Sequence, residues 1–149
     1  MVSTMANDDC KVVILCGGQG TRLKEETEFR PKPMVEVGGR PLLWHIMKIH
    51  AHQGLSDFVL ALGFKGHVIR DFFLNYRRQT ADLTITFGEG DQEDAVTLHS
   101  PSDIAGWRVT LAETGELTNT GGRIFRLRDY LKGATFLMTY GDGVADVDL

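Results

Sequence analysis

Lys11-Val12-Val13-Ile14-Leu15-Cys16 is an apolar, largely β-branched run behind a single lysine, and it delivers the chain directly into Gly17-Gly18-Gln19-Gly20. A run without polar alternation suits a strand covered on both faces, as in the middle of a parallel sheet. Gly17, Gly18 and Gly20 lack a Cβ, so the loop can adopt positive φ, approach a ligand closely and turn successive N–H groups toward an anion. Arg22 and Lys32 add fixed positive charge nearby. Open α/β sheets place their ligands at the carboxyl ends of strands, so the stretch from Lys11 to Met34 reads as a phosphate-binding edge.

Two better-known phosphate loops do not fit. A Walker loop closes on Gly-Lys-Ser/Thr, whereas Gly20-Thr21-Arg22 has no lysine beside its hydroxyl. The dinucleotide pattern GxGxxG begins at Gly18-Gln19-Gly20 but meets Leu23 where the third glycine belongs. Taken alone, the glycine loop could also be an ordinary strand-to-loop turn.

Past this edge the chain alternates. Val35-Glu36-Val37 is a short extended piece ending at Gly38-Gly39, and a helix follows from Pro41 to about Gln53 with Leu42, Leu43, Ile46, Met47 and Ile49 at helical spacing. Asp57 to Leu62 is a second buried strand. Gly63-Phe64-Lys65-Gly66 leads into a helix whose apolar face is Val68, Ile69, Phe72, Phe73 and Tyr76. Leu83 to Phe87 is a third, half-exposed or edge strand, Ala95 to Leu98 a short one and Trp107 to Ala112 a better one. Thr114 to Gly122 is a polar loop opening a helix with Ile124, Leu127 and Leu131, and Thr135 to Tyr140 returns as a strand. Strands and helices in this alternation predict an α/β fold: an open, mostly parallel, Rossmann-like sheet with helices on both faces and right-handed crossovers.

The 149 residues amount to one domain, with an expected flexible tail over residues 1–10 and a folded unit over 11–149. A net charge of −4 argues against a general nucleic-acid or anionic-membrane surface, so any anion site must be a local concentration of basic groups. Cys10 and Cys16 lie on one extended segment, roughly 20 Å apart, and cannot bridge. Free thiols, no basic leader and no apolar run of spanning length point to a reducing, cytoplasmic setting without a membrane partner.

Gly17-Gly18-Gln19-Gly20-Thr21-Arg22-Leu23 followed by Arg30-Pro31-Lys32-Pro33-Met34 resembles, in order and spacing, the paired signature of the sugar-1-phosphate nucleotidyltransferases. Pro41 to Lys48, Thr114-Gly115 with Thr120-Gly121-Gly122-Arg123, and Thr139 to Asp146 are similar to the branch that uses CTP and glucose 1-phosphate. The resemblance runs from Lys11 to the last residue, and the family continues beyond that point, which implies a fold of the nucleotide-diphospho-sugar transferase type truncated at its carboxyl end. It further implies transfer of a cytidylyl group to give CDP-glucose and pyrophosphate, Mg²⁺ as cofactor, and a homo-oligomer for the complete protein. Arg22 and Lys32 are the implied catalytic residues. Leu15, Cys16, Gly17, Gly18, Gln19, Gly20, Thr21, Arg22, Lys32, Thr114, Asn119, Thr120, Arg123 and Gly141 are the implied nucleotide contacts. Asp142 is the implied metal ligand; the family's second metal aspartate lies past residue 149, and Asp146 and Asp148 do not match it.

Each of these residues has a plainer reading. Arg22 could be a solvated surface arginine, although its planar fork suits phosphate oxygens. Lys32 is held between two prolines that stiffen the backbone on either side. Gly141-Asp142-Gly143 carries the commonest hairpin-turn signal, and 114–123 could be a simple strand-to-helix connection. His45, His50 and His52 lack i, i+4 spacing and read as helix-surface or core residues rather than metal ligands. Lys65, placed after a strand, is a further candidate for a sugar phosphate. Two rivals stand beside cytidylyl transfer: uridylyl or thymidylyl transfer, and a module that binds nucleotide or sugar phosphate without turnover.

Overall fold

A computed structural model describes residues 10–18 and 29–145. Its centre is a four-stranded sheet of β1 (Cys10–Leu15), β4 (Asp57–Leu62), β7 (Arg108–Glu113) and β8 (Thr135–Tyr140). The order across the sheet is β7-β4-β1-β8 and every neighbour is parallel. Val13 is flanked by Val59 on one side and Met138 on the other, so β1 is fully paired in the interior of the sheet.

The unbroken apolar run of β1 is explained by what covers it. Val12, Ile14 and Cys16 face one hydrophobic cluster together with Phe58, Leu60, Leu62 and residues of the following helices. Val13 and Leu15 face a second cluster with Val59, Ala61, Leu127 and Leu131. Helix α1 (Leu42–His52) buries Leu43, Ile46 and Met47, and α2 (Gly66–Thr80) buries Ile69 and Tyr76, both on the first face. Short helices α3 (Thr120–Arg126) and α4 (Arg128–Leu131) cover the second. Helices on both faces of a parallel sheet are the predicted architecture.

Some details differ from the expectation. β1 begins at Cys10, one residue inside the expected tail. Pro41 caps α1 from outside the helix and pairs, in the two-residue strand β3 (Arg40–Pro41), with β2 (Glu36–Val37) across a turn whose Gly38 and Gly39 both have positive φ. That turn geometry is the one that glycine pairs supply to tight hairpins. β5 (Leu83–Thr86) does not join the main sheet; it pairs antiparallel with β6 (Ala95–Leu98) in a separate ribbon. Its threonines and the 45% exposed Ile85 leave too little apolar surface for a place between covered layers.

Both cysteines are free thiols, and no helix among the described residues is long and apolar enough to cross a membrane.

Candidate active site

The described candidate residues gather at the carboxyl ends of β1, β4, β7 and β8. Parallel strands bring this about, because all four end on the same side of the sheet. Beyond β1, Gly17 is buried and Gly18 is exposed with open space before it. Gln19, Gly20, Thr21 and Arg22 lie outside the described residues. Leu15 and Cys16 sit just beneath: the Leu15 carbonyl accepts from Gly141 N–H at 3.0 Å, and Cys16 N–H donates to the Ala61 carbonyl at 3.0 Å. Burial pushes the Cys16 thiol well above the usual range, so it stays protonated as a core side chain.

Lys32 opens a short 3-10 turn (Lys32–Met34), where Met34 N–H donates to the Pro31 carbonyl at 2.8 Å and Pro31 and Pro33 are buried. The turn aims the ammonium across to the end of β8, and Lys32 Nζ donates to Asp142 Oδ2 at 2.7 Å. Gly141 makes this approach possible. A Cβ there would stand 2.9 Å from Pro33 Cγ, 3.1 Å from Cys16 Sγ and 3.2 Å from the Leu15 carbonyl. The end of β1, the Lys-Pro turn and the end of β8 therefore close on one another as tightly as they do because residue 141 is glycine. Sequence reasoning had assigned Gly141 to a nucleotide contact; its packing gives it this further task.

Asp142 is exposed, with a lysine on one oxygen. Among the described residues no group of three or more His, Cys, Asp or Glu side chains converges on a metal position. The exposed Asp142 carboxylate still fits Mg²⁺, which takes one or two carboxylates, completes its shell with phosphate oxygens and water, and needs no all-protein cage.

Thr114 and Arg123 are corrected in their placement. Both were expected among the nucleotide contacts, Thr114 through its backbone or hydroxyl, yet Thr114 is 0% exposed and Arg123 5%. The Thr114 hydroxyl donates to the Leu62 carbonyl at 2.6 Å and accepts from Arg123 Nη1 at 2.7 Å, so its proton and one of its lone pairs are taken up within the protein. Arg123 points into the protein, held by main-chain carbonyls as well as by Thr114. Asn119 and Thr120, by contrast, are exposed where the loop after β7 enters α3. Lys65 stands at the entrance to α2 in the left-handed region, φ 50°, with its ammonium over the Phe64 ring. His45 and His50 meet the backbone carbonyls of Val37 and Ile46, each at 2.8 Å.

A polar cluster away from the edge escaped the sequence. The Tyr76 hydroxyl, read as core by periodicity, accepts from Trp44 Nε1 at 3.0 Å and donates to the Asp103 carboxylate at 2.8 Å. Burial and the adjacent Asp103 raise its pKa. Nothing in the local pattern around Asp103 announces this partner.

Comparison with known proteins agrees with the geometry. Residues 12–100 match the MobA-like NTP transferase domain. Glucose-1-phosphate cytidylyltransferase of Salmonella typhimurium is 49% identical over 93% of this chain and 52% of its own length. The probable glucose-1-phosphate cytidylyltransferase of Bacillus subtilis is 45% identical over the same shares. The chain thus spans about half the length of the curated relatives it matches. Among solved structures, HddC from Yersinia pseudotuberculosis in complex with GMP-PN superposes with a TM-score of 0.60 at 28% identity, covering 89% of this chain and 47% of that one. A parallel sheet with this strand order, a glycine loop at the end of its central strand and a family match over more than half the residues lead to one conclusion: the chain belongs to the MobA-like NTP transferase domain family.

Proposed function

We propose that this chain carries the nucleotide-handling part of an enzyme that transfers a cytidylyl group from CTP to α-D-glucose 1-phosphate, forming CDP-glucose and pyrophosphate. The observation that carries the reading is the convergence of Lys32 and Asp142, 110 residues apart in sequence, at the mouth of the Gly17-Gly18 loop. A cation and a metal-competent carboxylate against a phosphate loop suit phosphoryl transfer. The choice of CTP and glucose 1-phosphate is supported by the Salmonella and Bacillus relatives.

The attacking group would be an oxygen of the sugar phosphate, ionised at neutral pH because the second pKa of a phosphate monoester is about 6. No general base is then required, and the task is to bring two polyanions into line at the α-phosphorus. Lys32 is the group for this. Its ammonium, aimed by the proline-braced turn, would leave Asp142 for the phosphates and meet the charge that builds on them. The N–H groups of the glycine loop and Arg22 would hold the triphosphate and the departing pyrophosphate. Mg²⁺, held by Asp142 with phosphate oxygens and water, would supply further charge neutralisation when bound. Exposed Asn119 and Thr120 are the proposed ribose or base contacts, and assembly into a homo-oligomer belongs to the complete protein.

A second reading, nucleotide binding without turnover, is favoured by the absence, among the described residues, of any group of three or more metal-ligating side chains around Asp142. Calorimetric titration of the chain with CTP in the presence of Mg²⁺ tests what both readings share. Binding that weakens about tenfold or more in Lys32→Ala is expected; equal affinity in both proteins would remove Lys32 from the site.

A further inference from the structure

Strands β5 and β6 stand apart from the main sheet as a two-stranded ribbon, and neither packs extensively on any other element of the described fold. The register sets Leu83 opposite Leu98 and Ile85 opposite Val96, and residues opposite each other in an antiparallel pair point to the same side. Phe87, two residues past Ile85, continues the alternation. One face of the ribbon is therefore apolar, while the other carries Thr84, Thr86, Thr97 and Ala95. The apolar face is open to solvent: Phe87 is 73% exposed, and Ile85 and Val96 are exposed beside it. Two strands alone hold together only marginally in water, and a contiguous apolar face of this kind marks a contact surface.

Charge narrows what can cover it. From Asp82 to Leu98 the ribbon carries Asp82, Glu89, Asp91, Glu93 and Asp94 and no lysine or arginine. These acidic residues are exposed, and none of them belongs to an ion pair among the described residues. Asp94 accepts from Gly88 N–H at 3.0 Å, which closes the tip and holds its carboxylates together. A second ribbon laid against the first would set carboxylates among carboxylates, so the complementary surface is a basic one with an apolar centre.

The chain itself presents such a surface. On α2, Leu74 is 71% exposed, and Arg70, Arg77 and Arg78 lie three or four residues from it, on the same side of the helix. Arg70 faces Glu113 at 3.9 Å, whereas Arg77 and Arg78 are exposed and pair with no carboxylate among the described residues. Asp71 is the only acid on the helix. Ribbon and helix match in apolar character and in charge, yet the ribbon does not pack on its own α2. A second copy can use both surfaces at once, each ribbon lying on the other copy's helix across a two-fold axis.

We propose that this chain forms a two-fold dimer in which the β5–β6 ribbon of each copy seats its apolar face against Leu74, and its acidic tip against Arg77 and Arg78, of the other. Helix α2 leaves the carboxyl end of β4 and the ribbon follows its far end, before the chain enters β7 beside Ser56. The contact thus lies away from the carboxyl ends of the main-sheet strands, and the dimer leaves the candidate active site open. It does not depend on which nucleotide that site takes.

Sedimentation velocity on the Met138→Lys chain, in which the β8 edge is disfavoured as a contact, is the test. A monomer–dimer equilibrium that follows protein concentration is expected, and adding Phe87→Ser should weaken it about tenfold or more. Charge reversal gives the specific comparison. Arg77→Glu with Arg78→Glu sets acid against the acidic tip, and Glu89→Lys with Glu93→Lys sets base against the arginines, so each double variant alone is expected to be monomeric. An equimolar mixture restores opposite charges at both contacts and is expected to dimerise as the Met138→Lys chain does. Every substituted side chain is exposed, so the fold should be kept, as far-ultraviolet circular dichroism checks. A Met138→Lys chain that stays monomeric at every concentration, an unchanged dimer in Phe87→Ser or in either charge-reversed form, or a mixture that remains monomeric would each overturn the proposal.

Discussion

Removal of the Lys32 ammonium should strengthen divalent-metal binding to the nucleotide-free protein. Lys32 Nζ lies 2.7 Å from Asp142 Oδ2, so in the absence of ligand it occupies the oxygen that a metal would use. The two side chains are 32% and 41% exposed, which places the pair in the surface class, worth up to about 1 kcal/mol after screening rather than the several that bare Coulomb energy at that distance suggests. A metal must displace that interaction to reach Asp142. Lys32→Met removes it, and about 1 kcal/mol corresponds to roughly a fivefold gain in affinity. Mn²⁺ titration followed by electron paramagnetic resonance, without nucleotide, measures this directly. The thermal midpoint should fall by no more than about 2–4 °C for a chain of this size. Unchanged or weaker Mn²⁺ binding in the methionine variant, with the fold intact, would refute competition between lysine and metal for one carboxylate.

Gly141→Ala should destabilise the protein by about 1–3 kcal/mol, read by urea unfolding, because the new methyl meets Pro33, Cys16 and Leu15; no change would mean that the three segments do not close as described. The raised pKa of Cys16 favours the neutral thiol in the folded state, so its stability contribution is present below the ordinary thiol pKa of about 8.5 and is lost as pH rises above it. Cys16→Ala should flatten the alkaline fall in stability; an identical alkaline profile would show that other groups cause it. Among the described residues β8 is an edge strand, and its Phe136, Met138 and Tyr140 are 39%, 46% and 55% exposed, so the chain should self-associate, and Met138→Lys should reduce this in sedimentation velocity. A monodisperse monomer for both forms would contradict that use of the edge.

The parts of this molecule that the sequence makes legible are those governed by one-dimensional patterns. β1 and β4 are runs too apolar for anything but a doubly covered sheet, and α1 repeats its leucines, isoleucine and methionine at helical spacing. Lys32 and Asp142 were both read as site residues on the strength of the family resemblance, and the sheet brings them together. The pairing of β5 was not legible: threonine alternation marks a strand but does not say which neighbour it takes. Arg123 shows the deeper limit. A charged residue in a glycine-rich loop defaults to an outward reading, and the acceptors that turn it inward are carbonyls, which every sequence has at every position. The pairing of Gly17 and Gly63 around one guanidinium is likewise a relation between distant loops. The Tyr76–Asp103 bond belongs to the same class, since periodicity buries the ring without locating a partner for its hydroxyl.

The most direct test of cytidylyl transfer is product formation by the protein expressed from its complete reading frame, with glucose 1-phosphate, Mg²⁺ and CTP, UTP or dTTP in turn. Pyrophosphate release and the nucleotide sugar are followed together by ³¹P NMR. The expected result is CDP-glucose as the preferred product, with turnover falling by ~10²–10³ in Lys32→Ala, the loss typical for one transition-state donor. Equal or better product from UTP or dTTP would move the protein to a sister activity. Binding of Mg²⁺ and CTP with no product from any of the three nucleotides would contradict the claim that this edge carries out transfer.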